Sequence, residues 1–311
     1  GEDFNITLIL TSKMKTEGNN DLIQKIETLG KHKKINLNPL NLTDLENICS
    51  NKFGLIGIPR NIMKFLIERG GRNPLFTLEI FQSLLESGYL NIESKKIVIY
   101  KEAYNSENWK IPQSIAGVVA ERIDRLPQRK QMTMGVASVI GRVFSAEELS
   151  SIHPSGCNLD ELKEQCDWLA EVGMTPPVKS NSLLIADQVS ISNWKFDSNL
   201  LKDVTYNRML FVQRRELHKN MAEYLEKNID IHEKSLAPQL AHHWRYAAEG
   251  RVLNNYAALK AAKYYGIAAS QAMQIHAVTD AIKLWEIGIS LLTELDASKE
   301  KDALELKFLL D

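Results

Sequence analysis

The segment of this chain with the clearest capacity for chemistry is Arg69-Gly70-Gly71-Arg72-Asn73-Pro74-Leu75-Phe76. Its glycines permit backbone conformations closed to other residues. Pro74 suits a first helical turn, where its missing N–H would have had no partner. The segment therefore aims a helix start, with its free backbone N–H groups, at a ligand, and an anion or nucleotide is a natural candidate. A plain loop between two packed helices is the competing reading, and the turn taken alone favours it.

Other reactive residue types are weaker signals. Arg214, Arg215 and His218 could grip an anion, but Glu216 and Glu223 nearby favour a partly solvated helix face. His242 and His243 are adjacent, so on a helix they point about 100° apart and cannot share one metal ion. Cys166 falls on an apolar helical face and reads as inert core. The three cysteines (Cys49, Cys157, Cys166) lack zinc or redox spacing, which fits a reducing cytosol. No Ser-His-Asp, Cys-His or paired-carboxylate constellation has a motif context. No G-x-x-x-x-G-K-[ST] phosphate loop is present. No catalytic or metal residues are assigned.

These groups sit on a largely helical chain. It has 311 residues, 44% of them hydrophobic and 25% charged, enough for a sizeable core and about two domains. A net charge of −1 gives no global pull toward nucleic acid or an anionic membrane. No apolar run approaches the ~20 residues of a membrane span. The acidic start Gly1-Glu2-Asp3 lacks an initiator Met and suggests a piece of a longer cytoplasmic protein.

Phe4 to Thr11 reads as a buried strand whose sheet lies upstream, with Ser12-Lys13 at its ligand-facing end. Helices are expected at about residues 43–52, 59–69 and 74–87, and Lys95–Tyr100 as a strand in a hairpin. Residues 102–110 form a linker. Further helices are expected over 115–126 and 128–140, after the capping box at Ser145–Glu148, and from Asn158. Two β-like runs, Ser182–Ala186 and Val189–Phe196, come after them. Three or four helices and then a hairpin describe a winged helix. The helix in its recognition position carries Asp160, Glu161, Glu164, Asp167 and Glu171 against Lys163, so it would be repelled by DNA. Helices over 198–211 and 213–228 come next. From Leu236 onward, regularly spaced alanines with Trp244, Tyr264, Tyr265 and Trp285 describe antiparallel helix pairs stacked as a solenoid.

In their order and spacing, several blocks resemble the STAND class of P-loop signalling NTPases, in the form that follows class III nucleotidyl cyclase domains. Phe4–Lys13 resembles the family's sensor strand. Leu37-Asn38-Pro39-Leu40 resembles its L-x-P-L opening of the helical lid. Gly71–Phe76 with Glu79 resembles G-N-P-L-F-x-x-E. Ile111-Pro112 with Glu121–Leu126 resembles I-P…R-I-D-R-L, and Val139–Phe144 resembles V-I-G-R-x-F. Gln213–His218 resembles Q-R-R-x-L-H, and Leu240–Trp244 resembles the start of a tetratricopeptide-like array. Three positions depart from the pattern. Arg72 is inserted after Gly71. Lys13 stands where relatives often carry Arg, and keeps the charge without the planar fork. Phe196–Leu200 lacks the His of F-x-H-x-L.

The resemblance implies a mainly α fold in four parts. Residues 1–40 end a P-loop α/β core, 41–110 form a helical lid with a small hairpin, 111–230 a winged-helix module, and 231–311 the start of a solenoid. It implies ATP or ADP with Mg²⁺ held mainly by upstream residues and sensed here by Lys13, Gly71, Asn73 and Pro74. It further implies partners in the upstream P-loop and cyclase domains, and a protein partner on the solenoid. The parent protein would be an adenylate or guanylate cyclase. The same module on a protein kinase or transcription regulator, and a nucleotide-independent helical scaffold, are the alternatives.

Overall fold

Asparagine and serine side chains start most of the helices. Asn41, Asn73, Ser114, Ser145, Asn158, Ser198 and Asn254 each accept a hydrogen bond from the backbone N–H three residues on. Each such cap is worth about 1 kcal/mol. A computed structural model of the chain describes residues 33–99, 114–178, 193–228, 236–250 and 253–310, with single residues 9, 28 and 112. Of the expected buried strand Phe4–Thr11 only Ile9 is described, and it is exposed and in no strand; Lys13, the 102–110 linker and the run Ser182–Ala186 lie outside the described residues. Among those described, the chain is mainly helical, with 13 helices and two small two-stranded sheets. None of these helices is long and apolar enough to cross a membrane.

Helices α1 (Leu42–Phe53), α2 (Arg60–Gly70) and α3 (Pro74–Glu86) precede a hairpin of β1 (Leu90–Glu93) and β2 (Lys96–Ile99). The hairpin turns at Ser94-Lys95, both with positive φ, and Lys95 carbonyl accepts a 3.0 Å bond from Ile56 N–H. Leu45, Cys49, Ile62, Phe65, Leu66, Ile80, Phe81, Leu84 and Leu90 form the core of this part.

Next come α4 (Ile115–Asp124), α5 (Gln128–Ile140), β3 (Val143–Ser145), α6 (Ala146–Ile152), α7 (Leu159–Glu171) and β4 (Asn193–Lys195). Strand β3 pairs antiparallel with β4, Phe144 opposite Trp194, and Pro177 also bridges to Trp194. Sequence pattern does not announce the strand at Val143–Ser145. Three residues are too few for an alternation signal, and the strand exists because β4 supplies its ladder. Helix α4 straddles two cores: Val118 packs into the first cluster, Val119 and Ile123 into the second.

The expected helix over 198–211 ends earlier. Helix α8 (Asn199–Arg208) stops at Met209, which is extended, and α9 (Phe211–Asn228) starts two residues later. The thioether of Met209 fills the space beside Gly135 on α5. Then α10 (Ala237–Ala248), α11 (Asn255–Gln274), α12 (Val278–Thr293) and α13 (Lys299–Leu310) pack in succession. Ala241, Ala248, Ala258, Ala261, Ala262 and Ala269 are buried between them, as small residues at close helix contacts should be. One continuous cluster runs from Val119 to Phe308.

The ring of Phe308 lies between Gly266 on α11 and Gly288 on α12. A Cβ at Gly288 would come within 2.8 Å of it, and one at Gly266 would overlap it. Gly266→Ala and Gly288→Ala should each lower the unfolding free energy by about 1–3 kcal/mol through overpacking. In a Phe308→Leu background, urea denaturation should show less than half that cost, because the shared ring is gone.

Candidate functional site

The turn after α2 is built as the glycines dictate. Gly71 and Arg72 both have φ of 59°, and Gly71 caps α2 by donating to Ile67 carbonyl. Gly70 is needed for a different reason: a Cβ there would lie 2.7 Å from Thr77 Oγ1. Asn73 is the N-cap of α3 and Pro74 its first residue. Residues 71–75 are exposed. The sequence predicts free N–H groups at this helix start. One of them, Phe76 N–H, donates to Asn73 Oδ1 at 3.1 Å. Pro74 has no N–H, and Thr77 N–H already serves Asn73 carbonyl at 2.9 Å. The turn therefore presents to a ligand Leu75 N–H and the exposed chain from Gly71 to Asn73. Gly71, Asn73 and Pro74 lie together, and Lys13 is outside the described residues.

Two turns into α3, Glu79 is buried, and Glu86 lies seven residues later on the same face. Arg122 of α4 lies between them. Its Nη1 donates to Glu79 Oε2, and its Nε to Glu86 at 3.0 and 3.1 Å. Nη2 also reaches Glu86 at 3.0 Å and lies 3.7 Å from Met174 Sδ. Burial alone would lower the Arg122 pKa. The Glu86 and Glu79 carboxylates outweigh it and hold the guanidinium above its ordinary value. Arg125, one turn on, donates to Ser83 carbonyl at 3.3 Å. Arg208 of α8 pairs with Asp124. The block Glu121–Leu126 thus ties the turn-bearing helix to the next part of the chain through Arg122 and Arg125, and α8 to α4 through Asp124. Sequence spacing assigns Arg122 no role, since its partners stand 43 and 36 residues away.

A second polar group lies where α8, α9 and α10 meet. Tyr206 hydroxyl and His218 Nε2 are 2.9 Å apart, and His218 Nδ1 and His243 Nδ1 are also 2.9 Å apart. His218 stacks on Tyr246, with centroids 4.9 Å apart. An Nδ1–Nδ1 hydrogen bond needs one protonated and one bare nitrogen, so at most one of the two rings can be charged. Burial, with His243, His242 and Arg214 close by, pushes the His218 pKa down to about 2. Burial and His242 push His243 to about 3. A cavity of about 290 Å³ opens beside His242 and His243, and one of about 130 Å³ beside Tyr206, Arg214, Arg215 and His218. The solvated-face reading of this trio fails for His218, which is 1% exposed. Among the described residues no cluster of His, Cys, Asp or Glu is placed to hold a metal ion. Burial raises the Cys166 thiol to about 12 and that of Cys49 to about 11, which keeps both protonated.

Comparison of the chain with protein-family models, curated proteins and solved structures gives no match.

Arg122→Ala should cost about 3–5 kcal/mol in urea unfolding, because it strands two carboxylates, one fully buried. Arg122→Met with Glu79→Leu should recover most of that loss. For His218 and His243 the folded pKa lies below the unfolded value of about 6.5, so the unfolded chain binds more protons below that pH. Stability should therefore fall as pH drops from about 6.5 toward 4. The slope should shrink by about 1.4 kcal/mol per pH unit in His218→Gln, measured by denaturant midpoints across pH.

Proposed function

We propose that this chain is the lid, winged-helix module and first solenoid helices of a STAND-class P-loop NTPase, working as a nucleotide-responsive switch in a cytoplasmic signalling protein. In this reading the parent is a soluble adenylate or guanylate cyclase. ATP or ADP, with Mg²⁺, is held mainly by an upstream P-loop core. Lys13 and the turn of Gly71, Asn73 and Pro74 sense it. The chain itself makes no cyclic nucleotide and hydrolyses no ATP, because it carries neither a phosphate loop nor a metal-binding aspartate pair.

The observation that carries the reading is the buried ion triad of Arg122, Glu79 and Glu86. It joins two of the blocks on which the resemblance rests, and puts a rigid connection between the exposed turn and the next module. A nucleotide that contacts the turn differently in two states could then bias the position of α4 and of the module beyond it. The strand order supports the winged-helix assignment, with β3 before α6 and α7 and paired to β4 after them. The exposed acidic face of α7 argues against nucleic acid as a partner. The buried alanines of α10 and α11 support tetratricopeptide-like stacking, whose outer face would take a protein partner. One observation favours a second reading, a scaffold without nucleotide dependence: Asn73 already spends its side chain on capping α3.

The test is ATP and ADP affinity of the protein carrying its upstream sequence, with and without Asn73→Ala and Pro74→Ala. The switch reading expects at least about a tenfold loss of affinity in one nucleotide state, or 1.4 kcal/mol. Unchanged affinities in variants that still fold would leave the scaffold reading in place.

A further inference from the structure

The smaller cavity, between α8, α9 and the end of α10, carries chemistry that the packing leaves unused. Tyr206, Phe211, Arg214, Arg215, His218 and Glu249 line it, with Tyr246 as a further wall. Arg214 Nε is buried there and has no hydrogen-bond partner. A buried N–H left without an acceptor costs about 1–3 kcal/mol, which an acceptor entering the cavity would relieve. The guanidinium is held in place by aromatic faces: its central carbon lies 4.9 Å from the Tyr206 ring centroid and 5.9 Å from that of Phe211. Arg214 also makes a side-chain hydrogen bond with Tyr206, and its Nε edge is the part left for an entering acceptor. Arg215 reaches only the Glu249 carbonyl, at 3.5 Å. Among the described residues no carboxylate forms an ion pair with Arg214 or Arg215.

The charge balance sets the class of guest. Two guanidinium groups face one carboxylate, Glu249, and the His218 ring in the wall is neutral. The site is short of one negative charge. At about 130 Å³ it has room for one small polar group and not for a nucleotide triphosphate. We propose that this cavity binds a small oxyanion, a carboxylate or a phosphate group, on the Nε edge of Arg214 with Arg215 as the second donor. Tyr206 comes from α8, the two arginines from α9, and Tyr246 and Glu249 from α10 and its end. Occupancy therefore fastens the joint between these helices. The site is separate from the turn at Gly71–Pro74 and does not depend on the nucleotide reading.

Sodium phosphate and sodium acetate are titrated separately into the whole chain at constant ionic strength, with chloride as the reference. Thermal unfolding and the ¹H–¹⁵N signal of Arg214 Nε are monitored. One of the two oxyanions should raise the midpoint saturably and move the Arg214 Nε signal on the same curve; the arm that does so tells phosphate from carboxylate. Arg214→Gln should weaken binding about tenfold or more. Arg214→Lys, which keeps the charge and loses the fork, should also weaken it, and Arg60→Gln on α2 should leave it unchanged. The Nε signal in the unaltered chain keeps the test valid if the Arg214 variants fold poorly. A chloride-like response to both anions, a static Nε signal, or full binding by a folded Arg214→Gln protein would overturn the proposal.

Discussion

The buried guanidinium of Arg122 is the constraint around which the first half of the structure is arranged. A lone buried charge is very costly, so once Ile123 and Val119 draw α4 into the core, Arg122 must be given partners. Glu79 and Glu86 supply them from a single face of α3. That requirement fixes the rotation of α3 about its axis and its height against α4. It also fixes where the helix start at Asn73 points, since Asn73 and Glu79 belong to one rigid rod. A single charge thereby makes the orientation of an exposed turn depend on the packing of the next module.

A comparable arrangement holds the last helices. Glu226 on α9 accepts from Trp244 Nε1 on α10 at 3.1 Å, and from Lys260 Nζ and Tyr264 hydroxyl on α11 at 3.0 and 2.9 Å. One carboxylate satisfies three donors from two helices, and the indole it orients is fully buried. The His218–His243 pair likewise joins α9 to α10, without charge. Alanines bring the helices close, and these polar contacts select which rotation of each helix is allowed. Positions that combine a satisfied polar network with close small-residue packing permit little sliding.

Much of the helical framework is legible in the sequence. Ser145 and Asn158 cap the helices that the sequence starts there, and Pro74 occupies the first helical position, as its chemistry requires; the first helix, expected from residue 43, is instead capped by Asn41. The hairpin around Ser94-Lys95 is legible as a strand over Lys95–Tyr100 because its residues are β-branched and apolar. The break at Met209 is not, because no Gly or Pro marks it. At the break Met209 packs beside Gly135, a contact between residues far apart in the chain. The candidate turn is visible as an unusual helix start, but its self-capping by Asn73 is not. Neither the Arg122 triad nor the His218–His243 pair can be found by spacing, since each forms across 25 residues or more. The resemblance places Glu79 and Arg122 in separate blocks, and only packing puts them in contact.

In the proposed switch, the state of the turn passes through Arg122 into the module beyond it. Amide hydrogen exchange on the chain joined to the proposed P-loop core, with and without ATP, tests this most directly. Nucleotide is predicted to change protection in residues 70–86 and also in 115–152. In the Glu79→Leu, Arg122→Met protein the change should be confined to 70–86. A nucleotide response that spreads equally far without the ion triad, or no response at the turn in the unaltered protein, would contradict the switch.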